Sequence, residues 1–272
     1  MGLNLDPADL YQRFEVAKGL VREAGQHALS RFRDRSSLSV ERKGLQDFVS
    51  VADRECEDFI VGALNRFFPD DGFLGEERGK QGLGSAHALW VIDPIDGTAN
   101  FLRGIPIWCV SLGLVLGRTA VLGIIYNPAT DELYAARQGS GAKLNGNSIR
   151  TSGVNRLEES RIGLGFSYRR SVDVHSRAVH ALLNAHCEYS RLGSGALGLA
   201  MTADGRLDGY WEAHINIWDV AAGLCIVREA GGWHNDFIRG DAFENGNFIL
   251  AATPELAAPL ASVLEIQGMG PA

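Results

Sequence analysis

The stretch Trp90-Val91-Ile92-Asp93-Pro94-Ile95-Asp96-Gly97-Thr98-Ala99-Asn100-Phe101 decides how the rest of the chain is read. Trp90 to Ile92 has the composition of a short buried strand, and Pro94 predicts that the strand stops there. Asp93 and Asp96 then sit on a turn at its mouth, where both carboxylates can face one point. Acids held that close repel each other unless they are protonated or bridged by a cation, and Mg²⁺ takes carboxylate oxygen, water and substrate phosphate as ligands. Gly97 permits close approach of the backbone to a ligand. Thr98 places a hydroxyl at the start of a predicted helix, whose amides attract anions. The plainer alternative is an Asp-Pro-x-Asp-Gly turn built from ordinary turn residues.

Two further segments flank this one. Gly75-Glu76-Glu77 lies ahead of it, and Trp218-Asp219-Val220-Ala221-Ala222-Gly223, continuing to Glu229-Ala230-Gly231-Gly232, lies behind it. In this order the three segments resemble the signatures of the inositol monophosphatase family of Mg²⁺-dependent, lithium-sensitive phosphatases. The resemblance runs from roughly residue 47 to 232, and the flanking helices fit it as well. It implies a layered α-β-α-β-α sandwich of the inositol monophosphatase and fructose-1,6-bisphosphatase type, with the active site between two lobes.

The same resemblance implies a ligand set. Glu76, Asp93 and the backbone carbonyl of Ile95 would hold one Mg²⁺, and Asp93, Asp96 and Asp219 a second. A weaker third would use Glu76 and water. Thr98 paired with Asp53 corresponds to the family's device for orienting the attacking water, so the implied catalytic set is Thr98, Asp53 and Glu76. Substrate contacts are implied for Asp96, Gly97, Thr98, Gly193, Ser194, Gly195 and Glu212, the last a carboxylate suited to a ring hydroxyl. Gly195 stands where the family usually has Ala, which implies a looser pocket. Each acid also has a simpler reading: Glu76-Glu77 as a solvated turn, Asp53 and Asp219 as helix caps. Capping and ligation are compatible.

The chemistry explains why such a set is needed. A phosphate monoester is a dianion that repels a nucleophile and carries a poor leaving group, and divalent cations address both difficulties. The implied reaction is in-line hydrolysis without a phosphoenzyme. Inositol monophosphate is the leading substrate. Histidinol phosphate, fructose 1,6-bisphosphate and 3′-phosphoadenosine 5′-phosphate are hydrolysed by relatives with the same core. Ala99 stands where relatives for histidinol phosphate or the nucleotide often carry Lys or Arg, which favours the inositol group. A regulatory binding protein associated with transcription machinery is the alternative of another class.

Composition bounds these readings. The chain of 272 residues is 46% hydrophobic and 22% charged, as expected of a folded globular protein, and its formal charge of −7 argues against a nucleic-acid surface. Cys56, Cys109, Cys187 and Cys225 are widely spaced and form no Cys-x-x-Cys pair, which predicts buried thiols in a reducing compartment. The first residues lack the pattern of a signal peptide, and no run reaches the ~18 apolar residues of a membrane span. A cytoplasmic enzyme without membrane partners is expected, and the family resemblance implies a homodimer.

Periodicity predicts helices from Pro7 to about Phe32 and from Ala52 to Phe67, then strands over Val110–Leu116, Ala120–Tyr126, Glu132–Arg137 and Ala142–Leu144. The polar stretch 149–155 divides an N-terminal α+β lobe, 1–150, carrying most metal ligands, from a C-terminal α/β lobe, 151–272, carrying substrate contacts and Asp219. In the second lobe strands are predicted at Ile162–Phe166 and Asp208–Glu212, and helices at His175–Asn184, Ala196–Ala203 and Val220–Arg228. Gly193 to Gly198 also matches the Gly-x-Gly-x-x-Gly pattern of dinucleotide binding, without the expected strand-helix-strand surroundings. Gly75 to Lys80 approaches a phosphate-binding P-loop but lacks its spacing and its Ser or Thr. His175, His180 and His186 show no metal pattern, and His214 is a candidate for the pocket edge.

Overall fold

The computed structural model describes residues 5–34, 40–44, 47–82 and 88–266. Helix α1 spans Pro7–Arg33 and α2 spans Val51–Phe67. Asp6 caps α1 by accepting from the Ala8 amide, with Pro7 at the first helical position, where a missing N–H costs nothing. Both helices lie on one face of an eight-stranded sheet. Its strands are β3 (Gly72–Gly75), β4 (Gly79–Gln81), β5 (Ala88–Asp96), β6 (Cys109–Leu116), β7 (Thr119–Asn127), β8 (Glu132–Arg137), β9 (Ala142–Leu144) and β10 (Asn147–Ser148), in the order β10-β9-β8-β7-β6-β5-β3-β4. The short pair β1 (Val40–Gly44) and β2 (Asp47–Ser50) forms its own antiparallel ribbon before α2.

The second sheet is five-stranded, ordered β12-β11-β13-β15-β14, from β11 (Arg161–Leu164), β12 (Glu188–Ser190), β13 (Gly209–Ile215), β14 (Trp233–His234) and β15 (Asn247–Ala252). Helices α5 (Gly195–Ala203) and α6 (Ile217–Glu229) lie between the sheets, while α4 (Val172–Asn184) and α8 (Pro254–Val263) cover the outer face of the second. The layers are therefore α-β-α-β-α, as the resemblance implied. Short helices α3 (Thr98–Arg103) and α7 (Ala242–Asn245) sit at strand ends. No described helix is long and apolar enough to cross a membrane.

Strand β5 shows how the sequence builds these layers. A strand covered on both faces reads as a continuous apolar run, and its side chains alternate between the two covering layers. Trp90 and Ile92 join the cluster of Leu20, Ile60 and Leu64 from α1 and α2, whereas Val91 joins that of Val220 and Leu224 from α6. The indole N–H of Trp90 donates to Asp71 at 2.9 Å, and Asp71 also takes Arg13 of α1 in a two-pronged ion pair. On the other face α6 lies almost directly on the sheet. A Cβ at Gly123 would stand 2.1 Å from the Ala222 carbonyl oxygen, so only glycine permits this approach.

The expectation that β5 stops before Pro94 is not met. The strand continues to Asp96 through a bulge: Asp93 pairs with Ser111 and Asp96 with Cys109, so that Pro94 and Ile95 face the single residue Val110. Proline is tolerated there because a bulge already interrupts the ladder. The strand predicted over Ile162–Phe166 ends at Leu164, and that predicted over Asp208–Glu212 runs on to Ile215. The polar stretch 149–155 does connect the last strand of the first sheet to the first strand of the second.

Candidate active site

The bulge is what creates the acidic centre. In a regular strand residues three apart point to opposite faces, and one inserted residue returns Asp96 to the face of Asp93. Helix α6 brings the third acid. Asp219 occupies its third position, and Asn216 donates its amide to Asp219 at 2.9 Å in a capping box. One carboxylate oxygen each from Asp93, Asp96 and Asp219 lies within 4.8 Å of the others, a group able to hold a metal ion. Capping and convergence thus coexist at Asp219.

The acids are held under electrostatic strain. Burial pushes Asp93 well above the usual carboxylate range, and Glu76, Asp96 and Asp219 push it further. Burial also raises Asp96, opposed by hydrogen bonds from Ser194, Ala196 and Gly195. Asp219 is raised to about 7 by burial and by Asp96. Such a cluster of oxygen donors fits a hard divalent cation, whose charge would offset the repulsion.

Asp96 has a second task. Its carboxylate accepts from the Ser194 hydroxyl, from the Ala196 amide at 2.7 Å and from the Gly195 amide at 3.3 Å, all at the start of α5. The glycine pattern of residues 193–198 is thereby explained. It does follow a strand and open a helix, contrary to the sequence expectation, but the strand has three residues and Asp96 occupies the amides a pyrophosphate would need. Gly75 to Lys80 is the β3–β4 hairpin, with Gly75 paired to Gly79, and the next element among the described residues is strand β5.

Asp53 is completely buried at the third position of α2, where its Oδ2 accepts from the Ser50 amide at 2.8 Å and the Ser50 hydroxyl at 2.6 Å. Its other oxygen faces the Thr98 hydroxyl at 3.4 Å, and that hydroxyl also reaches the Ile95 carbonyl at 3.0 Å. Burial raises Asp53 to about 6 against the bonds from Ser50. Gly97 precedes α3 with a φ of 93°, a left-handed conformation that favours glycine. The Asn100 side chain fixes the surrounding loops by donating to the carbonyls of Ile107 at 2.8 Å and Leu192 at 2.9 Å.

A cleft of about 470 Å³ lies above these groups, bounded by Glu76, Asp93, Ile95, Asp96, Gly97, Thr98, Gly193, Ser194, Gly195, Glu212 and Asp219. Every site residue expected from the sequence borders it except Asp53, which reaches it through Thr98. Glu212 is buried on β13 and accepts from the Tyr210 hydroxyl at 2.7 Å, and burial raises it to about 8. His214 also borders the cleft, and its Nε2 is 2.7 Å from the Asn245 carbonyl. The looser pocket expected at Gly195 is not found. A Cβ there would lie 2.6 Å from Cδ1 of Ile215, which fills the space.

Sequence reasoning missed the cleft's two arginines. Arg169 hydrogen-bonds Asn216, and Arg191 packs with its guanidinium 5.9 Å from the Phe166 ring centre. Both offer positive charge at the mouth of an acidic site. Nothing local in Tyr168-Arg169-Arg170 distinguishes Arg169 from one member of a solvated charge pair, because only the fold turns that loop inward.

Fold and site together define a layered enzyme with an acidic centre between its sheets. The chain belongs to the inositol monophosphatase family, whose sequence profile matches residues 9–268. It is 43% identical over 232 residues to the inositol-1-monophosphatase of Mesorhizobium japonicum, covering 84% of this chain and 86% of that protein. It is likewise 43% identical over 223 residues to the Nus factor SuhB of Xylella fastidiosa, covering 81% and 80%. Among solved structures, the extragenic suppressor protein suhB of Bartonella henselae matches with a TM-score of 0.87 at 35% identity, over 93% of this chain and 98% of that one.

Proposed function

We propose that this protein hydrolyses a small phosphate monoester, inositol monophosphate before others, in a Mg²⁺-dependent reaction. The observation that carries the reading is the convergence of Asp93, Asp96 and Asp219 beside the Thr98–Asp53 pair. Glu76, Asp93, the Ile95 carbonyl, Asp96 and Asp219 would hold two or three Mg²⁺ ions. Bound there, Mg²⁺ lowers the pKa of water and stabilises charge on the phosphate and the leaving oxygen.

The chain's own groups do the rest. The Asp53 carboxylate lies beside the Thr98 hydroxyl, so the Thr98 oxygen can accept from a water and orient it toward phosphorus; as that water attacks, its proton would pass to Thr98 while the Thr98 proton passes to Asp53. Gly97 brings the backbone close to the phosphate, and Arg169 and Arg191 add positive charge at the entrance. Glu212 and the segment Gly193-Ser194-Gly195 face the polyol, where a carboxyl group can pair with a ring hydroxyl. Residues 1–150 would then supply most metal ligands, and 151–272 the substrate wall and Asp219.

The deciding experiment measures phosphate release from inositol 1-phosphate, histidinol phosphate, fructose 1,6-bisphosphate and 3′-phosphoadenosine 5′-phosphate, with Mg²⁺, with EDTA, and with Mg²⁺ plus Li⁺. Metal-dependent, lithium-inhibited release that is fastest on inositol 1-phosphate supports the reading. Release that persists in EDTA would refute it. The similarity to a Nus factor favours a second reading, capture of transcription machinery by the protein surface. It predicts that a metal-ligand variant such as Asp219→Asn still binds that partner. A homodimer is expected and is checked by light scattering.

A further inference from the structure

We propose that Glu57 is a positioning residue that holds the Glu76 turn in place for metal binding; this inference rests on the phosphatase reading above. Glu57 lies four residues after Asp53 on α2 and is completely buried. A buried carboxylate requires donors, and the two it has among the described residues are the amides that directly follow Glu76. The Glu77 N–H donates to Oε2 at 2.9 Å and the Arg78 N–H donates to Oε1 at 2.9 Å.

These amides belong to the connection between β3 and β4, where Gly75 pairs with Gly79 and residues 76–78 form the loop. The carboxylate reaches them only because residue 75 has no side chain. A Cβ at Gly75 would stand 2.2 Å from Oε1 and 2.6 Å from Oε2 of Glu57. On the exposed side, Arg78 forms a two-pronged ion pair with Asp58, the next residue of α2, at 3.0 and 2.6 Å. The turn is thus fastened to α2 from inside and outside.

Such fastening has a purpose beyond burial. Glu76 and Asp93 are like-charged groups on one cleft, and their repulsion works against a hairpin tip held close to Asp93. Glu57 opposes that repulsion through the backbone amides of Glu77 and Arg78. Because α2 also carries Asp53, one rigid helix sets the position of both the metal-binding turn and the partner of Thr98.

The test titrates Mn²⁺ into metal-depleted protein and follows the free ion by electron paramagnetic resonance. Glu57→Gln removes one of the two acceptors and is expected to weaken Mn²⁺ binding by ~10- to 100-fold, in line with other outer-shell contacts. The Mg²⁺ concentration for half-maximal turnover should rise while kcat at saturating Mg²⁺ is largely kept. Gly75→Ala, which displaces the same carboxylate from the opposite side, should give the same pattern and add little to Glu57→Gln. A lowered melting temperature with unchanged Mn²⁺ affinity would overturn the proposal. Hydrogen exchange on the unsubstituted protein provides a test independent of variant folding. Slow exchange at Glu77 and Arg78 without metal supports a preformed turn, and fast exchange at both overturns it. Wild-type protein that binds no Mn²⁺ would overturn the phosphatase reading together with this one; tight wild-type binding matched by Glu57→Gln would overturn this one alone.

Discussion

The Thr98 hydroxyl stands 3.4 Å from Oδ1 of Asp53, a contact between residues 45 apart that joins the start of α3 to the first turn of α2. Asp53 has one oxygen committed to Ser50 and the other turned to Thr98. The cap therefore fixes the orientation of the oxygen that faces Thr98. Asp53→Asn should keep the cap, since an amide oxygen can still accept from Ser50, but lose the proton acceptor. Turnover should fall by ~10²- to 10⁴-fold, the usual contribution of a positioned general base, with Mn²⁺ binding retained. Thr98→Ala should behave likewise and Thr98→Ser should recover most activity. Turnover of Asp53→Asn near the wild-type value would remove Asp53 from the mechanism.

Repulsion among Asp93, Asp96 and Asp219 sets stability against metal binding. Replacing Asp219 by Asn removes one charge from a crowded site and keeps an acceptor for the Asn216 amide. In EDTA the variant should melt higher than wild type, since ~1 kcal/mol of relief raises the melting temperature of a chain this large by about 2–4 °C or somewhat less. With Mg²⁺ the order should reverse, because the variant gains little from the cation and wild type gains by linkage. Differential scanning fluorimetry with and without Mg²⁺ checks both halves. A variant that melts lower than wild type in EDTA contradicts the account.

The site shows what a sequence can and cannot say. Asp93, Asp96 and Asp219 were legible because their flanking residues form recognisable segments; α1 and α2 were legible because each buries one regular face, and β6 to β8 because they are apolar runs buried on both faces. The route to convergence was not. Pro94 signalled a strand end, yet the ladder of β5 continues past it, because whether an interruption ends a strand or becomes a bulge depends on the neighbour β6. Glu57 and Arg191 were illegible for a related reason. A lone Glu in a helix rich in acids, or a lone Arg after a short strand, carries no local mark of the amides or cleft that tertiary packing places beside it.

Gly195 and Ile215 act as a matched pair. The sequence suggested a wider pocket at Gly195, but Cδ1 of Ile215 takes up the volume, 2.6 Å from where a Cβ would be. Gly195→Ala should therefore push the tip of the Ile215 side chain aside at a cost of about 1 kcal/mol or less, with a raised KM for the phosphate ester. Combining it with Ile215→Val, which shortens the opposing side chain, should recover much of both losses. Chemical denaturation and steady-state kinetics on the two single variants and the double variant provide the cycle. Strictly additive losses would mean that the two positions do not share this space.

The raised carboxyl groups give the metal-free protein an unusual dependence on pH. Asp53 moves from 3.8 to about 6, Asp219 from 3.8 to about 7 and Glu212 from 4.5 to about 8, burial being the leading cause in each. A group that holds its proton more tightly in the folded chain than in the unfolded one stabilises the fold fully below its unfolded pKa. That contribution disappears as pH rises through the folded pKa. In EDTA the protein should therefore lose stability from about pH 4 to about pH 8, the window these three groups span. Mg²⁺ binds the deprotonated cluster, so the rise in melting temperature that it produces should be small at pH 5 and grow toward pH 8. Glu212→Gln should remove the upper part of the EDTA slope, because an amide does not titrate, while leaving the Mg²⁺ effect in place. A melting temperature in EDTA that climbs steadily across this window would show that the cleft carboxyl groups do not hold their protons as their burial requires.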